Sequence, residues 1–151
     1  MNAQISVLGV KELDDLIRGM DGLFQHKFLQ QVHATAALSL VYREHRLAPV
    51  RSGKTAESIA TIKPPFTKAS LVGEVQVGPR RGRYGGNVAH LSEKGTQPRT
   101  TKSTGAYRGI MPKKPFVEPA WEQEKGNVER SITSQLSIHL ERYLKKMIKN
   151  G

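Results

Sequence analysis

The stretch Ala48-Pro49-Val50-Arg51-Ser52-Gly53-Lys54-Thr55 ends in the Gly-Lys-Thr triplet that closes many phosphate-binding loops. Such a loop joins a buried strand to a helix whose N-terminus faces the phosphates. Here an apolar helical stripe comes before the turn, and Pro64-Pro65 arrives nine residues after Thr55. No later apolar strand ends in an Asp that would hold magnesium. The stretch therefore reads as a helix-to-strand turn, and no nucleotide or other cofactor is expected. His26 and His33 lie seven apart on one helix face, whereas a helical metal pair prefers a spacing of three or four, and neither has a carboxylate at ligand spacing, so both read as surface or boundary histidines. Ser52, Ser58 and Ser103 lack a nucleophile elbow or a nearby His-Asp pair. Asp14-Asp15 and the Glu122/Glu124 pair fall on solvated helix faces. No catalytic or metal constellation stands out, and the chain reads as a non-enzyme.

Charge is the informative chemistry. The 151 residues carry 24 Lys plus Arg against 13 Asp plus Glu, a formal net of +11. Between Pro79 and Pro115 lie nine cations, Arg80, Arg81, Arg83, Lys94, Arg99, Lys102, Arg108, Lys113 and Lys114, against the single acid Glu93, a net of +8. A localised basic patch implies an anionic partner: nucleic acid, an acidic protein face or a membrane surface. The bland reading is a solvated loop that only confers solubility. The functional reading is a mobile basic arm, with Tyr84 and Tyr107 available to stack, that orders on meeting its partner. No motif for reading bases is visible.

The elements that must position these residues follow from periodicity. A chain of this length fits one domain and buries about 70% of its unfolded surface, so no staples are needed. With no cysteine, neither a disulfide framework nor a thiolate metal site is possible. The N-terminus has no basic segment followed by an apolar one, so no signal peptide is expected. The longest apolar run, Ala34 to Tyr42, is about half of the roughly 20 residues a membrane span needs.

Ile5 to Val10 reads as a first strand. Leu13, Leu16, Ile17 and Met20 give Lys11 to Met20 a helical stripe. From Asp21 a long central helix carries Phe24, Phe28, Val32, Ala36 and Leu40 in one stripe, and Pro49 stops it. Ser58 to Lys63 and Leu71 to Gly78 read as strands, the second by clean alternation. Val88 to Lys94 is a short apolar element open to either assignment. Gln97 to Pro115 lacks periodicity and reads as a long loop, the mobile basic loop being residues 97–114. Pro115 to Trp121 opens a C-terminal helix with Trp121, Val128, Ile132, Leu136, Leu140, Tyr143 and Met147 on one stripe. The expected fold is a single α+β domain over 1–151: a small antiparallel sheet packed against a long central helix and a C-terminal helix, with a long basic loop.

Several separated motifs agree on a family. "GVKELDDLI", "LAPVRSGKTAESI", "VGEVQVGP" followed by "HLSEKGT", and "KKPFVEPAW" together resemble the tail-completion, or head-tail joining, proteins of long-tailed phages, over about Val7 to Tyr143. Ala48, Pro49, Ser52 and Gly53 match the family's turn out of the long helix, after which residues like Ser58 and Ile59 begin a strand. Glu93, Gly95 and Thr96 match its E-x-G-T element, although Lys94 stands where members often have an aromatic. Pro115, Phe116, Pro119 and Ala120 match P-F-x-x-P-A, with Phe116 expected as a core anchor.

The resemblance implies a structural virion protein, assembled in the host cytoplasm into a ring, six-fold in the family, at the head-proximal end of the tail. Its implied neighbours are copies of itself, head-completion or connector proteins, and tail-terminator or tail-tube proteins, with genomic DNA passing through the lumen and no membrane involved. Arg80, Arg81, Arg83, Arg99, Lys102, Arg108, Lys113 and Lys114 are the candidate contacts to DNA or to a partner. The alternative is a small basic nucleic-acid-binding protein acting through residues 79–115.

Overall fold

A computed structural model describes residues 15, 17–19, 21–50, 53–67, 72–82 and 85–150, with helix side chains as far as residue 142. The first strand expected at Ile5 to Val10 and most of the Lys11 to Met20 helix lie outside the described residues, as do Arg51, Ser52, Leu71, Arg83 and Tyr84. So do the side chains of Tyr143 and Met147.

The architecture is α+β, with helices packed on a two-stranded antiparallel sheet. Helix α1, Gly22–Ala36, starts where the Asp21 carboxylate accepts from the Leu23 amide at 3.2 Å, satisfying one of the amides that a helix start leaves free. Helix α2, Leu38–Leu47, follows after the single residue Ala37. The expected central helix is thus interrupted at Ala37, at φ −76° and ψ −3°, and the Thr35 hydroxyl donates back to the Gln31 carbonyl at 3.0 Å just before it. The interruption is local: the Ala37 amide still reaches the His33 carbonyl, and the Val41 amide the Ala37 carbonyl.

The turn after Pro49 contains a further element. Gly53, at φ 67°, leads into a short helix, α3, Lys54–Ser58, before strand β1, Ile59–Ile62. Strand β2, Gln76–Pro79, pairs with β1 in the register Ile59 to Pro79 through Ile62 to Gln76. This corrects the second expected strand, which alternation extended back to Leu71. Val72 and Gly73 form a turn instead, because Gly73 has φ 71° and its backbone is held against α1.

Two histidines do the holding. The Gly73 amide donates to Nδ1 of His26 at 3.1 Å, and Nδ1 of His33 donates to the Gly73 carbonyl at 2.6 Å. His26 is buried, so the boundary reading is corrected for it: it is a satisfied core group. The seven-residue spacing, two helical turns, places both rings on the one face that receives Gly73.

A 3-10 turn, Gly86–Val88, runs into helix α4, Ala89–Lys94, which settles the unassigned segment as helical. The long helix α5, Val117–Asn150, packs along α1 and α2. Small residues at the centre, Ala36, Ala37, Ala48, Ala89 and Ala120, allow these backbones to approach closely. Two apolar clusters result. Ala48, Ile59, Ala89 and Phe116 join α2, β1, α4 and the α5 entrance, while Leu40, Ala120 and Val128 join α2 to α5 with Val77 of β2 against them. The Arg43 guanidinium meets Glu124 at 3.0 Å and ties α2 to α5. Asn127, and then Arg43, hold the Glu124 carboxyl below the usual carboxylate range.

Candidate functional site

Between α4 and α5 the chain leaves the body and returns. Its departure and return are fixed by one carboxylate. Glu93 Oε2 accepts from the amides of Phe116 at 2.8 Å and Val117 at 3.2 Å, and Oε1 accepts from Glu118 at 3.3 Å. A helix start presents free amides and a partial positive charge, so a carboxylate placed there is stabilised twice over. Here the cap comes from a residue far away in sequence. The two family-like elements therefore meet: Glu93, Gly95 and Thr96 stand on one side of the neck, Pro115, Phe116, Pro119 and Ala120 on the other. Phe116 and Ala120 are buried, and Pro119 lies in the first turn of α5, where its missing amide proton costs no helical bond.

Residues 96–111 then form a narrow antiparallel ribbon. The Thr96 amide donates to Met111 O at 3.0 Å, and the Met111 amide to Thr96 Oγ1 at 2.9 Å. Further out the Arg108 amide donates to Arg99 O at 2.6 Å, Thr100 and Tyr107 bridge, and the Thr101 amide donates to Ala106 O at 2.9 Å. The three outer contacts share one register, in which Arg99 stands opposite Arg108, and the register shifts below it, where the Arg99 amide donates to Gly109 O at 3.3 Å. The tip turns through Lys102 to Gly105, where Gly105 has φ 65° and the Thr101 and Thr104 hydroxyls share a hydrogen bond. The region expected as a mobile loop thus carries a backbone ladder of its own.

The expected basic residues divide. Arg99, Lys102, Arg108, Lys113 and Lys114 are exposed on the ribbon and its return strand, with no ion pair among the described residues. Tyr107 and Ile110 are 63% and 55% exposed beside them. Arg80 belongs to the fold instead: its Nη2 donates to the Thr61 carbonyl at 2.6 Å and bridges β2 to β1. Arg81 is exposed at the mouth of a cleft of about 400 Å³ that Asn87, His90, Glu93 and Phe116 also line. Arg83 lies outside the described residues. Ala48 is buried in the core, Pro49 follows it at the end of α2, and Gly53 opens α3.

One group escaped the sequence reading. Glu44 is 1% exposed, and its Oε2 has no hydrogen-bond partner among the described residues. Burial, with a further contribution from the nearby Glu93 charge, pushes its carboxyl up to about 7. It lines an apolar cleft of about 560 Å³ with Leu40, Val77, Trp121, Val128 and Ile132. The signal was present: Glu44 stands four residues after Leu40 and so continues the apolar stripe of the central helix.

No three His, Cys, Asp or Glu side chains gather into a metal site among the described residues. No helix among them is long and apolar enough to cross a membrane. Comparison with protein-family models, curated proteins and solved structures finds no match.

Proposed function

We propose that this chain is a structural, non-enzymatic subunit of the head-tail interface of a long-tailed phage. It assembles as a six-fold ring at the head-proximal end of the tail, between head-completion or connector proteins and tail-terminator or tail-tube proteins, and the genome passes through it. The observation that carries the reading is the neck made by Glu93 on the start of α5, because it brings two of the family-like elements into one unit with a basic ribbon between them. An arm held at its base and exposed along its length suits a part that completes its contacts only in an assembly. Ring closure needs heterologous contacts, with two different patches on each copy, and the apolar cleft beside Trp121 offers one such patch.

The test is genetic and visual. Removing the chain from a phage that encodes it leaves filled heads and tails unjoined, and particle images with the chain present show it as a ring at the junction. Intact virions in its absence, together with a strictly monomeric chain in the presence of tails, would overturn the proposal. The alternative, a basic protein acting alone on nucleic acid, gives intact virions and a monomer.

A further inference from the structure

We infer that the 96–111 ribbon is a grip for the sugar-phosphate backbone of duplex DNA, built around the rung that Arg99 and Arg108 form. Two like charges directly opposite on paired strands repel, so such a rung destabilises the ribbon unless an anion lies between or across the guanidiniums. Neither guanidinium has an ion pair among the described residues, and sequence 94–117 contains no acid to relieve them. Lys102 at the tip and Lys113 and Lys114 on the return extend the same charge along the element. A ribbon strand from Thr96 to Thr101 is about 20 Å long at roughly 3.3 Å per residue, comparable to the span of several phosphates.

A second copy of the chain fits this element poorly. Each copy carries net +11, so copies repel at long range. The exposed acids of α5 are interleaved with cations: Glu122 already pairs with Lys125 at 2.6 Å, and Arg130 follows Glu129. A polyanion supplies what the protein surface lacks. Duplex DNA offers a dense phosphate array, and a two-stranded ribbon is a shape its major groove admits. Tyr107 and Ile110, both more than half exposed, are available to pack on sugars. The contact inferred is with phosphate, which is independent of sequence. Within the proposed ring this makes the ribbon the part that meets the passing genome; that placement rests on the ring reading, whereas the grip itself does not.

The experiment is fluorescence anisotropy of the full-length chain with a labelled duplex of arbitrary sequence, titrated from 50 to 200 mM salt. Five phosphate contacts give a slope of log K against log salt of about −4.5, an affinity loss of about 500-fold over that range. R99A/R108A brings the slope to about −2.7, while Arg130→Ala on α5 keeps the full slope. Both ribbon arginines are exposed, and an unchanged melting curve verifies that the double variant is folded. Absence of duplex binding at 50 mM salt, or a slope unchanged in R99A/R108A, overturns the inference. Polyglutamate that displaces duplex at equal charge concentration also overturns it and assigns the ribbon to an acidic protein. Particle images separate the two readings: duplex binding by a chain absent from the junction keeps the grip and removes the ring. A ring whose chain shows no salt-dependent binding does the reverse.

Discussion

The carboxylate of Glu93 and the backbone amide of Phe116, 23 residues apart, meet at 2.8 Å, and this contact both starts α5 and closes the neck of the ribbon. A Ser or Asp cap acts from the residue beside the helix; Glu93 acts across a loop closure, so the helix start and the return of the ribbon form together. Replacing it by Ala leaves three amides without that acceptor at a partly buried helix start. We expect Glu93→Ala to cost about 1–2 kcal/mol and to lower the melting temperature by about 3–8 °C. Glu93→Gln, which keeps one carbonyl acceptor without the charge, should lose about half as much. Thermal denaturation followed by circular dichroism measures both, and an unchanged midpoint in Glu93→Ala would remove the cap from the argument.

Glu44 gives the fold a dependence on pH. Its carboxyl ordinarily titrates at 4.5 and is pushed up to about 7 in the folded chain by burial and by Glu93. A folded value above the unfolded one means that the folded state holds the proton more tightly. Its contribution is therefore complete below about 4.5 and is lost as pH rises through about 7. The loss should be about 1–3 kcal/mol, discounted from the full shift for the water that reaches the cleft. Denaturant titrations at pH 5 and pH 8 should differ by that amount. Glu44→Gln, neutral at both, should remove most of the difference and be the more stable protein at pH 8; a pH profile unaltered by this substitution refutes the assignment.

The helices were legible because their apolar stripes are long, and Pro49 and Pro115 mark a stop and an entry that proline chemistry enforces. The α+β class and the antiparallel pairing of the two segments around Pro64-Pro65 followed from the same periodicities. What the sequence hid was tertiary. Val72, Glu74 and Gln76 alternate with Val75 and Val77 as a strand would, yet Gly73 between them is captured by His26 and His33 from a helix some 40 residues away. Nothing local distinguishes that glycine from one inside a strand. Glu93 could be aligned as part of a motif, but its role depends on where α5 begins in space. Arg80 and Arg99 look alike in a charge count; only the structure separates the cation that bridges β1 and β2 from the one that faces solvent.

The Gly73 clasp can be tested directly. A Cβ at this position would lie 2.4 Å from Leu29 Cβ and 3.2 Å from the Leu29 carbonyl carbon, and φ is 71°. Backbone strain and overlap act together, so Gly73→Ala should destabilise the chain by about 2–4 kcal/mol. His26→Ala should cost a comparable amount, since it removes a buried ring and leaves the Gly73 amide without its acceptor. Both substitutions disturb one contact, so the double variant should fall short of the sum of the singles in a urea-denaturation cycle. Strict additivity would mean that the turn is held by something other than the histidine.

The ribbon should be separable from the domain that carries it. Its side chains from Pro98 to Gly109 are exposed except at Thr101 and Gly109, which are half-buried, and below them the chain is joined where the Thr96 amide meets Met111 O at 3.0 Å. Replacing residues 98–109 by Asn-Gly, a two-residue turn whose backbone matches paired strands, closes the ribbon just above that contact. The neck formed by Glu93 and the Lys114 amide on Ser92 O at 2.8 Å is untouched. A shorter loop also closes at less entropic cost, so the change in stability should stay within about 1 kcal/mol. The deletion removes Arg99, Lys102 and Arg108, and the formal charge falls by three, from +11 to +8. Two of the five proposed phosphate contacts remain, at Lys113 and Lys114, so the salt slope of duplex binding should drop to about −1.8. A shortened chain that melts normally but retains the full slope would move the basic contact off the ribbon, to Arg81 and its neighbours; one that fails to fold would show that the ribbon is part of the core, against the exposure of nearly every side chain on it.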